Sequence, residues 1–228
     1  MGGQTRVLSY WSTFVLALVM AGCTTTTTTI IIAEPSEIFK PGPPEPAYCS
    51  TIIYVGSTVT LTGSATYHAR EVFDSGGGIG GLTAAPGAAF PIRFAEVQVI
   101  GPSGSFAQCS RTDNSGNFSI TLPQSVSTYT IRIYSRSQAN DPDVRVSVLD
   151  RPGNNQPHMI STTASAAASA SIGTLDAPAT GSILGGAFNI MDQILRANEY
   201  LRGIAGSCST QFTGCANFTV APKVSAYW

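Results

Sequence analysis

Thr58-Val59-Thr60-Leu61-Thr62-Gly63-Ser64-Ala65 decides the fold class. Val59, Leu61, Gly63 and Ala65 alternate with Thr58, Thr60, Thr62 and Ser64, a period of two that puts one face in a core and the other in water. The same period recurs downstream. Phe94 to Ile100, with Val97 and Val99 on one face, predicts a second strand, and Ser105 to Thr112 a third. Phe118, Ile120 and Leu122 mark a fourth, Tyr129, Ile131 and Ile133 a fifth, and Val144, Val146 and Val148 a sixth. Pro157 to Thr162 would make a seventh. Turn residues separate them: Gly101-Pro102-Ser103-Gly104, then Asp113-Asn114-Ser115-Gly116-Asn117. Short strands at this spacing predict a mainly β sandwich or barrel.

The pattern is interrupted once within residues 51–162 and changes beyond them. The Gly-rich stretch between Thr66 and Pro91 reads as irregular. The Ala/Ser/Gly-rich residues 163–186 lack an apolar face and read as a linker or exposed strand. Phe188, Met191, Ile194, Leu195, Asn198 and Leu201 then recur at helical spacing. They predict one amphipathic helix over 187–203, with Asn189 as N-cap, Asp192 three residues on, and Gly203 as the stop. Residues 204–228 form a C-terminal segment with two cysteines.

The first residues are of another kind. Arg6 is followed by an apolar run from Leu8 to Met20 that ends in Ala21-Gly22-Cys23. A basic start, a short greasy core and small residues before a cut site define a secretory signal, and the run is short for a membrane span of about 20 residues. Met20-Ala21-Gly22-Cys23 resembles the bacterial lipobox, with Met20 in place of the usual Leu. That resemblance implies that residues 1–22 are removed and that Cys23 carries lipid, so the membrane is a partner. Thr24 in place of Asp leans towards an outer-membrane lipoprotein of the cell envelope, periplasmic or surface-facing. Residues 23–50 read as a Thr/Pro-rich tether: six threonines, then Pro35, Pro41, Pro43, Pro44 and Pro46. Ile30 to Ile32 within it suit either the lipid interface or an edge strand.

Cysteine count fits this reading. Five cysteines in an exported chain leave one over. With Cys23 acylated, Cys49, Cys109, Cys208 and Cys215 remain as disulfide candidates in an oxidising compartment. Four cysteines allow three pairings; Cys208 with Cys215 is the local pair, leaving Cys49 with Cys109.

Three longer stretches carry a further resemblance. Leu61-Thr62-Gly63-Ser64-Ala65-Thr66-Tyr67, Pro91-Ile92-Arg93-Phe94-Ala95-Glu96-Val97 and Thr112-Asp113-Asn114-Ser115-Gly116-Asn117-Phe118 resemble the carboxypeptidase regulatory-like domain. The resemblance covers Ser57 to Leu149 and implies a seven-stranded prealbumin-like (transthyretin-like) β-sandwich followed by the helix. Gly186-Ala187-Phe188-Asn189-Ile190-Met191-Asp192 is similar to the helix that follows such modules in some bacterial surface proteins, ahead of a zinc peptidase-like region. Pro222 to Trp228 would then be the strand entering that region.

Candidate chemistry is sparse. The chain has net charge −1 and 11% charged residues, which offers no footprint for nucleic acid. His68 and His158 are the two histidines, and no HExxH is present. His68 beside Glu71 and Asp74 makes at best a weak metal site. Asp113, Asn114, Ser115 and Asn117 offer hard oxygens for calcium, but the spacing is that of a hairpin turn. The Gly76 to Gly81 loop lacks the Lys-Ser/Thr of a phosphate loop. Asn117 and Asn217 head glycosylation sequons without a reason to expect their use. No metal, cofactor or catalytic residue is therefore expected. The expected function is a lipid-anchored, non-catalytic module for binding, adhesion or scaffolding, with a protein or polysaccharide ligand. The alternative is the N-terminal accessory part of an exported zinc metallopeptidase whose catalytic region is not in this chain.

Overall fold

The computed structural model describes residues 43–70, 72–74, 79–83, 85–140, 143–211 and 224–228. The long strand β1 (Thr58–His68) runs through the middle of the first sheet. On one side it pairs antiparallel with β7 (Asn117–Pro123) and, further along, with β4 (Ala89–Pro91). On the other side it pairs in parallel with β12 (Ala170–Ala177). The second sheet has the order β11 (Met159–Ala166), β8 (Ser125–Tyr134), β5 (Glu96–Ile100), β6 (Phe106–Arg111), all antiparallel. Inward residues of both sheets belong to one hydrophobic cluster: Leu61 and Tyr67 of β1 and Ile120 of β7, with Val97 of β5 and Ile131 of β8. The chain passes between the sheets where β6 leads into β7 and where β11 leads into β12.

Ser135 bends the chain between β8 and β9 (Arg136–Asn140). Its amide donates to His158 O at 2.8 Å, while its carbonyl accepts from the Val148 amide at 2.8 Å. The strand thereby leaves the second sheet and enters a third, in which β10 (Asp143–Leu149) lies between β9 and β13 (Val224–Tyr227). A ribbon of β2 (Val72–Asp74) and β3 (Ile79–Leu82) completes the strands among the described residues.

The fold class is thus mainly β with one helix; each segment expected as a strand lies in one, but the described residues hold thirteen strands rather than seven. Three readings need correction. The Gly-rich stretch expected to be irregular contains β2, β3 and β4. Residues 163–186, assigned to a linker with exposed strand as the other reading, contain strand: β11 runs on to Ala166, and β12 occupies 170–177. Its period was hidden by a register shift, because Gly173 at φ 77° is an extra residue opposite the Thr62–Ser64 stretch of β1. Beyond that bulge the alternation is clear, with Leu175 and Ala177 buried and Thr174 and Asp176 exposed. The expected helix 187–203 is α1 (Leu184–Gln211), which starts earlier and runs past Gly203. Its first turn is capped by Ser182, whose Oγ accepts from the Leu184 amide at 3.0 Å, and not by Asn189. Within the segment from Pro222 to Trp228, expected as a strand, β13 pairs in parallel with β10, and the Trp228 amide donates to Leu149 O at 2.9 Å.

Helix α1 packs against β10, β1 and β12 through Ala187, Phe188, Met191 and Leu195, all buried. Gly185 permits this approach, since a Cβ there would lie 2.4 Å from the His68 carbonyl. Among the described residues no helix is long and apolar enough to cross a membrane.

The turn between β6 and β7 is the tightest sequence requirement. Gly116 has φ 80°, and a Cβ on it would lie 2.5 Å from Ala65 O, the carbonyl it would have to push out of β1. The Gly116→Ala variant is expected to lose about 2–4 kcal/mol of stability from positive φ and the clash together, read as a lowered midpoint in urea with an unchanged slope.

Candidate functional site

Of the residues singled out in the sequence, Cys23, Glu71, Cys215 and Asn217 lie outside the described residues, as does the Gly76 to Gly78 part of the glycine loop. Cys208 falls on the backbone of α1. Cys49 and Cys109 are joined in a disulfide, with Cα atoms 5.7 Å apart across 60 residues. That link fixes the end of the expected tether to β6.

Around the disulfide the tether root is built into the body. Arg136, at the start of β9, is 1% exposed. Its Nη1 donates to Pro46 O, and its Nη2 donates to Ala47 O at 3.1 Å and to Glu96 Oε1 at 3.0 Å. Its Nε lies 2.6 Å from Glu96 Oε2, and Nη1 lies 3.4 Å from Glu45 Oε1. The Tyr48 ring covers the guanidinium at 4.5 Å. Glu96 Oε1 also accepts from the Cys49 amide at 3.1 Å, and Ser147 Oγ donates to Glu45 Oε1 at 2.7 Å. Burial pushes the Tyr48 phenol above its ordinary pKa, so it stays neutral against this cluster. A guanidinium withdrawn from water is costly unless every side is met. Here two carboxylates, two carbonyls and a ring meet it, and four of those five groups belong to residues 45–48.

Past the disulfide, the next residues lie alongside β6 without forming a regular ladder. The buried Gln108 side chain stands in for one: its Oε1 accepts from the Ile52 amide and its Nε2 donates to Ile52 O, both at 2.8 Å. Nε2 also donates to Thr121 O at 3.0 Å, which ties β7 to the same point. Tyr54 closes the segment by donating its hydroxyl to Ala107 O. Cys49 Sγ, Cys109 Sγ and a Glu96 oxygen lie within 4.8 Å of one another. As a metal centre this set is poor, because the sulfurs are bonded to each other and Glu96 is held by Arg136.

The segment also forms one wall of an open groove of about 1040 Å³. Tyr54, Phe94, Gln138 and Arg111 line it, with Thr58, Ser110, Ser119 and Thr121 along its floor. A second concavity of about 710 Å³ continues from it over the outer face of the first sheet. Ser110, Arg111 and Ser119 line both.

The weak metal site suggested at His68 is built differently from the sequence expectation. His68 Nδ1 faces Gly87 O at 2.9 Å, and Nε2 lies 3.5 Å from Asp176 Oδ1, a residue of β12 far along the chain. The side chain of Asp74 is outside the described residues. Asp113, the calcium candidate, is a turn residue: its Oδ1 accepts from the Ser115 and Asn117 amides, each at 2.8 Å.

Sequence reasoning missed a second charged cluster. Asp192, read as a capping partner, is 1% exposed in the buried stripe of α1. It accepts from Tyr67 Oη at 2.9 Å, Arg93 Nε at 2.8 Å and Arg196 Nε at 2.8 Å. Arg93 Nη1 reaches on to Glu199 at 2.9 Å and to Asn114 Oδ1 at 3.0 Å. Burial and then the charge of Asp192 push the Tyr67 phenol upward, so it remains a donor. Burial works against the charge on Arg93, but Glu199 and Asp192 outweigh it and its pKa rises. The network latches the helix to β1 and to the β6–β7 turn. Its signal in the sequence was an acid at position 192 between the apolar Met191 and Ile194.

No protein-family model matches the chain, and no curated protein matches it significantly.

Two outcomes test the clusters. Arg136→Ala leaves Glu96 buried without its counter-ion and is expected to cost about 3–5 kcal/mol in urea unfolding. At Asp113, burial raises the pKa but the Asn117 and Ser115 amides outweigh it, so the folded-state value is lowered. The stabilisation it gives is therefore full above the unfolded carboxylate pKa of about 3.9 and is lost as pH falls through the lower folded value. Thermal melts from pH 5 down to pH 2 should show Asp113→Asn with a flatter acid limb than the parent.

Proposed function

We propose that the chain is a bacterial cell-envelope lipoprotein, held by acyl chains on Cys23, whose body is a carboxypeptidase regulatory-like, prealbumin-like β-sandwich used for binding, adhesion or scaffolding without catalysis of its own. One observation carries the reading: the chain leading from Cys23 enters the body through the Arg136 cluster and the Cys49–Cys109 disulfide. A tether that ended in a frayed linker would transmit little of a pull on the anchor. Here a load applied at residue 45 meets a buried ion cluster, and at residue 49 a covalent bond to the middle of a sheet. A disulfide of this kind also suits an oxidising compartment outside the cytoplasm.

The sandwich reading is supported by two four-stranded sheets sharing one core, with strand switches at β6–β7 and β11–β12. The non-catalytic reading is supported by how the buried charges are spent. Glu96, Arg136, Arg93 and Asp192 bond one another and hold elements together. Several acyl chains at about 0.8 kcal/mol per buried CH₂ make attachment effectively permanent, and Thr24 after the anchor favours the outer membrane.

The test is metabolic labelling with a fatty-acid analogue in a bacterium that processes lipoproteins. The parent chain should take up label and sediment with membranes. Cys23→Ala should lose the label and appear in the soluble fraction. Equal labelling of the two would overturn the assignment.

A further inference from the structure

We infer that the two concavities meeting at Ser110, Arg111 and Ser119 are one binding groove, and that its ligand is an uncharged polysaccharide chain. The inference deepens the reading of this chain as a binding module and rests on that reading.

The floor is a register-matched field of hydroxyls. Across β1 and β7, Thr62 faces Ser119, and Thr121 follows on the same face of β7. Across β1 and β12, Thr62 faces Ser171 and Ser64 faces Thr174, the latter pair 2.7 Å apart. Neighbouring strands are about 4.8 Å apart, and same-face residues along a strand about 6.7 Å. Each hydroxyl can both donate and accept, as the hydroxyls of a sugar ring do. A ligand with alternating donor and acceptor roles can therefore be met at several points without any fixed charge.

The wall adds what hydroxyls lack. Tyr54 offers a half-buried aromatic face, and Gln138 an amide. Arg111 sits 6.0 Å over the Phe94 ring, which limits the positions its guanidinium can take. The wall is also fixed before any ligand arrives, since the disulfide, Gln108 and Tyr54 hold it to β6. Weak contacts to a neutral chain add up only where little ordering is left to do.

Charge decides among partners. Among the described residues the exposed charges in the groove are Arg111 and Asp113, one of each sign; Glu96 lines it but is paired with Arg136. Nucleic acid, acidic glycans and anionic lipid headgroups need a basic track, which one arginine beside an aspartate does not supply. An apolar peptide would need a continuous greasy floor, whereas this one is Thr and Ser.

The test uses the full chain in a detergent without a sugar headgroup, titrated calorimetrically with cellohexaose, maltohexaose and chitohexaose, and with polygalacturonate as the charged comparator. One or more of the neutral hexasaccharides should bind saturably, unchanged in about 0.5 M NaCl. Ser119→Trp, which fills the junction, and Arg111→Ala should each weaken that binding roughly tenfold or more. Thr163→Trp, on the outer face of the other sheet, should not, and matching melting curves establish that the variants fold. The groove assignment is overturned if none of the three sugars binds at about 10 mM, if only polygalacturonate binds, or if Ser119→Trp and Arg111→Ala bind like the parent. Labelled Cys23 without sugar binding sinks this inference and leaves the anchor standing; sugar binding without label does the reverse.

Discussion

A guanidinium with 1% of its surface exposed has to be answered from within the protein, and Arg136 is answered mostly by residues outside the strand that bears it. Glu96 comes from β5, while Glu45, Pro46, Ala47 and Tyr48 come from the chain that precedes the first strand. The cost of burying one charge thus obliges a proline-rich segment to lie down in one place. Once it does, Cys49 is beside Cys109, Ile52 is beside Gln108, and the groove has a wall. The position of Ser135 matters for the same reason, because its bend aims Arg136 away from the second sheet and towards that segment.

A parallel arrangement holds the helix. Asp192 is buried in an apolar stripe, and three donors from β1, the β4–β5 connection and the helix itself converge on it. Hydrophobic burial of Phe188, Met191 and Leu195 supplies affinity between helix and sheets, but it does not fix the rotation of the helix. The Arg93 fork does, since it must reach Asp192, Glu199 and Asn114 together. Gly185 then sets how close the helix start comes to the end of β1, and Trp228 lies over Gly186 with its indole N–H donated to Ile183 O at 2.9 Å.

Both clusters join parts of the chain far apart in sequence, and both use polar groups where an apolar contact would have buried the same area. Well-packed apolar residues can equal buried ion pairs in stability, so geometry is the better account of what these pairs contribute. They give each element one orientation, which apolar burial by itself does not select.

What the sequence determined by itself was whatever depends on neighbours along the chain. Alternation in residues 58–65 and 117–123 was enough for strands, Gly116 was enough for the turn, and the spacing of Phe188, Met191 and Leu195 was enough for a helix. The proposal of lipid on Cys23 rests on local residues in the same way. Tertiary structure alone decided what depends on register and approach. The Ala/Ser run became strand because β8 and then β1 offered it edges, and the glycine bulge at 173 broke the period of its second half. The helix began at Leu184, through two glycines that local propensity penalises, because only glycine fits against the His68 carbonyl and the Trp228 ring. The partners of Arg136 and Asp192 stand up to 91 and 125 residues away. No local pattern encodes such pairs, since which charge is buried beside which follows only after the sheets have closed on their core.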